Sequence, residues 1–120
     1  MNFYMLSGAI FVLIIFSFGL KIHSDPGPLN NIFAYRTNRS IKNEDTWLEA
    51  NVFAGRCLMY FATIFLLLLL LGGPLFISTE FTIYAMTFCL VICGVSVVAF
   101  TEKHLQQVFF RDGKRKPTSL

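Results

Sequence analysis

The chain is expected to fold as an all-α integral membrane protein, a three-helix bundle, and three observations lead there. Hydrophobic residues make up 55% of its 120 positions against 14% charged, with a mean hydropathy of +0.62, the balance of a small membrane protein. The apolar residues gather into three runs, each long enough to cross a bilayer. The 10 Lys and Arg residues occur only between the first and second runs and after the third.

The first run, Phe3 to Leu20, carries no charge. At about 1.5 Å per helical residue it reaches roughly 27 Å, close to the hydrocarbon thickness. No Lys or Arg precedes it and no small-residue cleavage pattern follows, so it reads as a span and not as a leader peptide. Gly8 and Gly19 lie about three turns apart and share a face on which another helix can approach closely. A connection follows in which Asp25-Pro26-Gly27-Pro28 sets turns and prevents helix continuation. His23 beside Asp25 is only half a metal site, and a solvated loop histidine is the expectation.

The polar stretch Tyr35 to Asn51 is the one long hydrophilic passage enclosed by membrane-grade sequence, and it ends in helix signals. Asn43 is a suitable N-cap, Glu44 and Asp45 suit the positive end of the dipole, and Thr46 with Glu49 offers an alternative capping box. From Asn43 a helix can run to Leu71, spanning about 43 Å. That exceeds the hydrocarbon core, so a span over residues 52–71 is expected with its first three turns protruding. Asn43, Trp47, Asn51 and Gly55 recur every fourth residue and share one face. Gly72, Gly73 and Pro74 are expected to end this helix.

The third run, Phe81 to Phe100, is again uncharged. Ala85, Cys89, Cys93 and Ser96 form a small-residue stripe suited to tight packing. Beyond it a short interfacial helix is expected, followed by a disordered basic end from Arg111 to Pro117 that anchors to an anionic leaflet. The three cysteines sit in or beside the spans and resemble no disulfide framework. Cys89 and Cys93 share a face but lack His or carboxylate neighbours, so neither a metal nor another cofactor is expected.

One membrane domain over residues 1–120 therefore emerges, with spans at about 3–20, 52–71 and 81–100, a motif loop at 21–51 and a basic tail at 101–120. Lys21, Arg36, Arg39, Lys42 and Arg56 fall in the first group of basic residues, and Lys103, Arg111, Lys114, Arg115 and Lys116 in the second. The positive-inside rule then places the N-terminus outside and both the motif loop and the C-terminus in the cytoplasm. Basic residues that flank spans are topology signals and do not form the face that nucleic acid requires.

Two readings of the polar stretch stand side by side. Arg36, Arg39 and Lys42 beside Ser and Thr hydroxyls suit phosphate or carboxylate groups, the nearest being lipid headgroups. Equally, Arg36 can pair with Glu44, Asp45 or Glu49 and clamp the loop over the helix ends. Trp47 suits either an interfacial belt or the wall of a small pocket. No ionisable residue lies deep inside the runs, Arg56 and Glu80 standing at their edges, which argues against a proton-coupled carrier acting as a monomer. No nucleophile with a base, zinc motif or phosphate loop is present, so no enzyme is expected.

The pattern Tyr35-Arg36-Thr37-x-x-Ser40-x-Lys42-Asn43-x-x-Thr46-Trp47-x-x-Ala50-Asn51 closely resembles that of the SdpI/YfhL family of small bacterial membrane proteins. Members often have Gly before the Arg-Thr pair, where this chain has Tyr35. The resemblance implies a multi-pass protein of the bacterial inner membrane and a site or fold-defining set made of Arg36, Thr37, Ser40, Asn43, Trp47 and Asn51, with Arg39 and Lys42 as secondary anionic contacts. The family's named member, a larger protein, is a bacteriocin immunity protein that protects its producer from a secreted peptide toxin and holds a repressor at the membrane. The function expected by that resemblance is protection against a membrane-active peptide, or binding of a membrane partner, through the cytoplasmic loop. Its partners would be membrane lipids, a peptide toxin or regulatory protein, and copies of itself. A small oligomeric transporter or channel subunit is the alternative.

Overall fold

The computed structural model describes residues 3–73 and 78–117, and Pro74 lies outside them. Three helices follow in chain order: α1 at Phe3–Ser24, α2 at Glu44–Gly72 and α3 at Thr79–Val108. All three are long and apolar enough to cross a membrane. Large apolar side chains point outward from each of them, among them Leu13 and Ile14 on α1, Leu67 and Leu71 on α2, and Phe88 and Val95 on α3. Such a belt is solvated by lipid and not by water. The molecule measures 52 Å along its long axis, well beyond the roughly 30 Å of a hydrocarbon core. The excess lies partly at the end that carries the loop between α1 and α2.

α1 and α2 pack along each other far more extensively than either meets α3. Glycines set their crossing. A Cβ on Gly55 would stand 2.5 Å from the Gly19 carbonyl oxygen and 2.7 Å from the His23 Cβ, and one on Gly19 would stand 2.8 Å from the Leu58 Cβ. About three turns away, Gly8 meets the Leu69 side chain, which a Cβ would approach to 3.0 Å. The face shared by Gly8 and Gly19 is thus the α2-facing face, because only hydrogen at those positions lets the backbones come so close in lipid.

α3 differs from expectation in two respects. The helix does not end near Phe100 but runs unbroken to Val108, since the buried Cys93, Val97, Thr101, Leu105 and Val108 continue one stripe at helical spacing. The small-residue stripe, in contrast, is only partly core. Cys93 is buried, whereas Ala85, Cys89 and Ser96 are half-buried and a Cβ on Gly94 would meet nothing within 4 Å. Ala85 and Cys89 line, with Gly8, Phe11, Leu69 and Phe81, an apolar recess of about 450 Å³ between the helices.

The basic tail is folded, where disorder was expected. Phe109 bridges to Arg115 in antiparallel fashion, and the Lys116 N–H donates to the Val108 carbonyl at 2.7 Å. Gly113, at φ 91°, supplies the left-handed residue this reversal requires. The turn is held because its backbone groups find partners on α3 and on the loop.

Gly55→Ala should lower the midpoint of thermal unfolding in detergent, since overpacking a tight contact costs about 1–3 kcal/mol. Gly94→Ala, placed in open space, should leave the midpoint unchanged. Equal effects of the two would sink the claim that the α1–α2 crossing is limiting.

Candidate functional site

The loop folds onto the first turns of α2, and each motif residue contributes a specific bond. At the helix start the Asn43 Oδ1 accepts from the Thr46 N–H at 2.9 Å, while the Thr46 hydroxyl accepts from the Asn43 N–H at 3.1 Å. Of the two capping arrangements open in the sequence, the chain uses the one centred on Asn43. Thr37 and Ser40 bond each other reciprocally, the Thr37 N–H to the Ser40 Oγ at 2.7 Å and the Ser40 N–H to the Thr37 Oγ1 at 3.2 Å. Ser40 is fully buried by this turn.

One turn further along α2 the aromatic and amide side chains take hold of the loop. The Trp47 Nε1–H donates to the Gly27 carbonyl at 3.0 Å, and its ring is only 2% exposed. A ring so buried is not a lipid-facing belt position. Asn51, fully buried, accepts from the Tyr35 N–H at 2.8 Å and donates to the carbonyls of Tyr35 and Trp47 at 3.2 and 3.0 Å. Its carboxamide therefore satisfies both backbone groups of one loop residue.

Arg36 does not pair with Glu44, Asp45 or Glu49, as one sequence reading had it. Its Nη1 donates to the carbonyls of Leu29 and Asn31 at 2.8 and 3.3 Å, and the guanidinium lies 5.9 Å from the Trp47 ring centroid. The carboxylates are engaged elsewhere. Asp45 receives the Arg115 guanidinium in a two-point contact at 2.7 and 3.1 Å, and this bond above all holds Arg115 more firmly protonated than usual. Glu49 lies 2.9 Å from the His104 Nε2 and 3.6 Å from the Arg115 Nη2. The His104 ring stacks on Phe53 with centroids 4.2 Å apart. His23, expected in solvent, instead places its Nδ1 2.9 Å from the Val52 carbonyl.

Tyr35, the residue that departs from the family pattern, ties the loop to α3. Its hydroxyl donates to a Glu102 oxygen at 2.7 Å, and burial first, then the bond and charge of Glu102, push its ionisation far above the ordinary tyrosine range. The phenol consequently stays a donor. The other Glu102 oxygen faces the Arg39 Nε at 3.5 Å. On the far side of the cap, the Asn43 Nδ2 donates to the Gly113 carbonyl at 2.9 Å, joining loop and tail turn.

All six motif residues are thus gathered in one region, and their polar groups bind the loop to itself, to α2 or to the tail. Arg39 and Lys42 lie differently. With Arg111 they border a shallow recess over Phe109 and Phe110, and Arg39, Arg111 and Lys116 surround an adjoining one of about 320 Å³. This basic rim draws on both the loop and the tail, so it is absent from any single stretch of sequence. Sequence reasoning left out the parts played by Glu49, Phe53, Glu102, His104 and Arg115, which lie far from their partners in the chain. The one available cue was that the Leu105 and Val108 positions keep the helical period of the third run. Among the described residues no cluster of His, Cys, Asp and Glu is arranged to hold a metal.

A family model described as the SdpI/YfhL protein family matches residues 27–100. No curated protein and no solved structure matches the chain.

Trp47→Ala should destabilise the protein by about 3–5 kcal/mol through the cavity it leaves. Asn51→Ala should cost about 1–3 kcal/mol, because the Tyr35 backbone loses its partners. Unfolding in detergent and accumulation in membranes would measure both. Full stability of either variant would contradict the clamp described above.

Proposed function

The chain belongs to the SdpI/YfhL family, and on that footing we propose that it is a membrane protein of the immunity or resistance type. In this reading it protects its cell against a membrane-active peptide by holding the peptide, or a regulatory protein that responds to it, at the loop end of the bundle. The observation that carries the reading is the division of labour among the loop's polar residues. Arg36, Thr37, Ser40, Asn43, Trp47 and Asn51 bond inward and keep the platform closed, while Arg39, Lys42, Arg111 and Lys116 rim its surface. A rigid scaffold that presents a charged rim is suited to recognition.

The positive-inside rule puts this rim on the cytoplasmic side of the bacterial inner membrane. There it lies at headgroup depth, where a partner that approaches along the bilayer meets it. Apolar Phe110, exposed beside the cations, gives the rim an amphipathic character, matching a peptide that itself partitions into the interface. The arrangement does not require catalysis, and we assign the protein to the binding class.

The test is survival of a sensitive bacterium that expresses the protein under challenge with membrane-active peptides, with accumulation measured alongside. The intact protein should protect. The combined Arg39→Gln, Lys42→Gln and Arg111→Gln variant should accumulate normally and lose about tenfold or more in protection, given that charged hydrogen bonds contribute about 1.5–3 kcal/mol each. Lys114→Ala should protect as the intact chain does. Absence of protection at normal accumulation would overturn the proposal.

A further inference from the structure

A second place in the molecule brings together a cation and a long apolar channel, on the outer side of the α1–α2 pair. Phe16, His23, Arg56, Met59, Tyr60 and Thr63 line a groove of about 330 Å³. A second groove of about 350 Å³ is lined in part by Val12, Leu13, Phe16, Thr63 and Leu66. Phe16 and Thr63 belong to both, so the two are one furrow between the helices. From Arg56 to Leu66 it follows α2 for roughly 15 Å at helical rise, about half the hydrocarbon core.

The furrow changes character along its length. At one end stand the Arg56 guanidinium and the His23 imidazole, and below them the lining is apolar apart from the Tyr60 and Thr63 hydroxyls. The Thr63 hydroxyl is occupied by the Met59 carbonyl at 2.9 Å. Arg56 is exposed and has no carboxylate partner among the described residues. Carboxylates elsewhere are engaged by other groups: Asp25 with Lys21 at 3.9 Å, Glu49 with His104 and Arg115, and Glu102 with Tyr35 and Arg39. A carbonyl only accepts, so the His23 Nδ1 donates to Val52, which leaves Nε2 of the neutral ring an acceptor and the Arg56 guanidinium the donor at this end. Lys21 lies one turn or less from this level on α1, which marks it as headgroup depth.

We propose that this furrow binds a glycerophospholipid of net negative charge, its phosphate at Arg56 and one acyl chain along Phe16, Met59, Thr63 and Leu66. An arginine without a counter-ion at the membrane surface calls for an anion, and guanidinium matches phosphate oxygens in two-point geometry. The apolar channel leading away from it sets the length and direction of the attached group. A zwitterionic lipid would add a second cation beside Lys21 and Arg56, so the anionic class is preferred. The site stands apart from the basic rim and does not depend on the protective role.

Native mass spectrometry of the protein released from detergent with phosphatidylglycerol or phosphatidylcholine reads this directly. The intact chain should retain phosphatidylglycerol at occupancy at least about fivefold above phosphatidylcholine. Arg56→Gln should abolish that preference, Arg56→Lys should restore part of it, and Lys114→Gln should leave it intact. Thr63→Trp, which fills the channel and leaves the charge, should reduce retention of both lipids. A phosphatidylglycerol with a photoreactive acyl chain should label residues between Met59 and Leu66. Equal retention of the two lipids by the intact chain, an unchanged preference in Arg56→Gln, or label confined to other helix faces would each overturn the assignment.

Discussion

The end of the bundle that carries the motif depends on one side chain, the carboxamide of Asn51. Buried on α2, it offers its oxygen to the N–H of Tyr35 and its nitrogen to the carbonyl of the same residue. A loop lying over the mouth of a helical bundle has no sheet or helix in which to satisfy its backbone, and an unpaired buried group costs about 1–3 kcal/mol. An amide is the neutral side chain that can serve donor and acceptor together. Once Tyr35 is held, its phenol is directed to Glu102 on α3 and Arg36 to the carbonyls of Leu29 and Asn31. The third helix is thereby tied to the loop as well as to the apolar core.

Packing in the spans follows a different logic from packing at this end. Between α1 and α2 the contact is made by backbones brought close at Gly19 and Gly55, as expected where lipid removes the hydrophobic drive for association. α3 lacks such a contact over its first half and leaves an apolar recess there. Its attachment combines the apolar packing of Cys93, Val97, Leu105 and Val108 against α1 and α2 with polar groups at the loop end: Glu102, His104 and the turn that returns Arg115 to Asp45 and Glu49. Exposed pairs of the Arg115–Asp45 kind contribute only about 0.2–1 kcal/mol singly. Their number, combined with the stacked His104 and Phe53 rings, makes the tail part of the fold.

Much of this was legible beforehand, and the reasons are local. Three spans followed from uncharged runs of bilayer length, and the helix start at Asn43 followed from its capping chemistry. The shared face of Trp47, Asn51 and Gly55 followed from helical period alone. The family resemblance rested on the spacing of Arg36, Thr37, Ser40, Asn43, Trp47 and Asn51, and the match over residues 27–100 covers that stretch. What sequence could not decide was whether these residues hold a ligand or the loop, because the partners of Trp47 and Arg36 are backbone carbonyls that no residue type announces.

By itself, then, the sequence determined the helix count, the apolar exterior of the helices and the glycine faces, since each is a property of consecutive residues obeying one period. Tertiary structure alone decided that the motif's polar groups bond inward, that Arg36 binds the Leu29 and Asn31 carbonyls in place of pairing with Glu49, and that the tail folds. Those outcomes depend on groups up to 70 positions apart, such as Asn43 and Gly113. Distances of that kind are set by how three helices and a glycine turn converge, and periodicity within one segment carries no record of them.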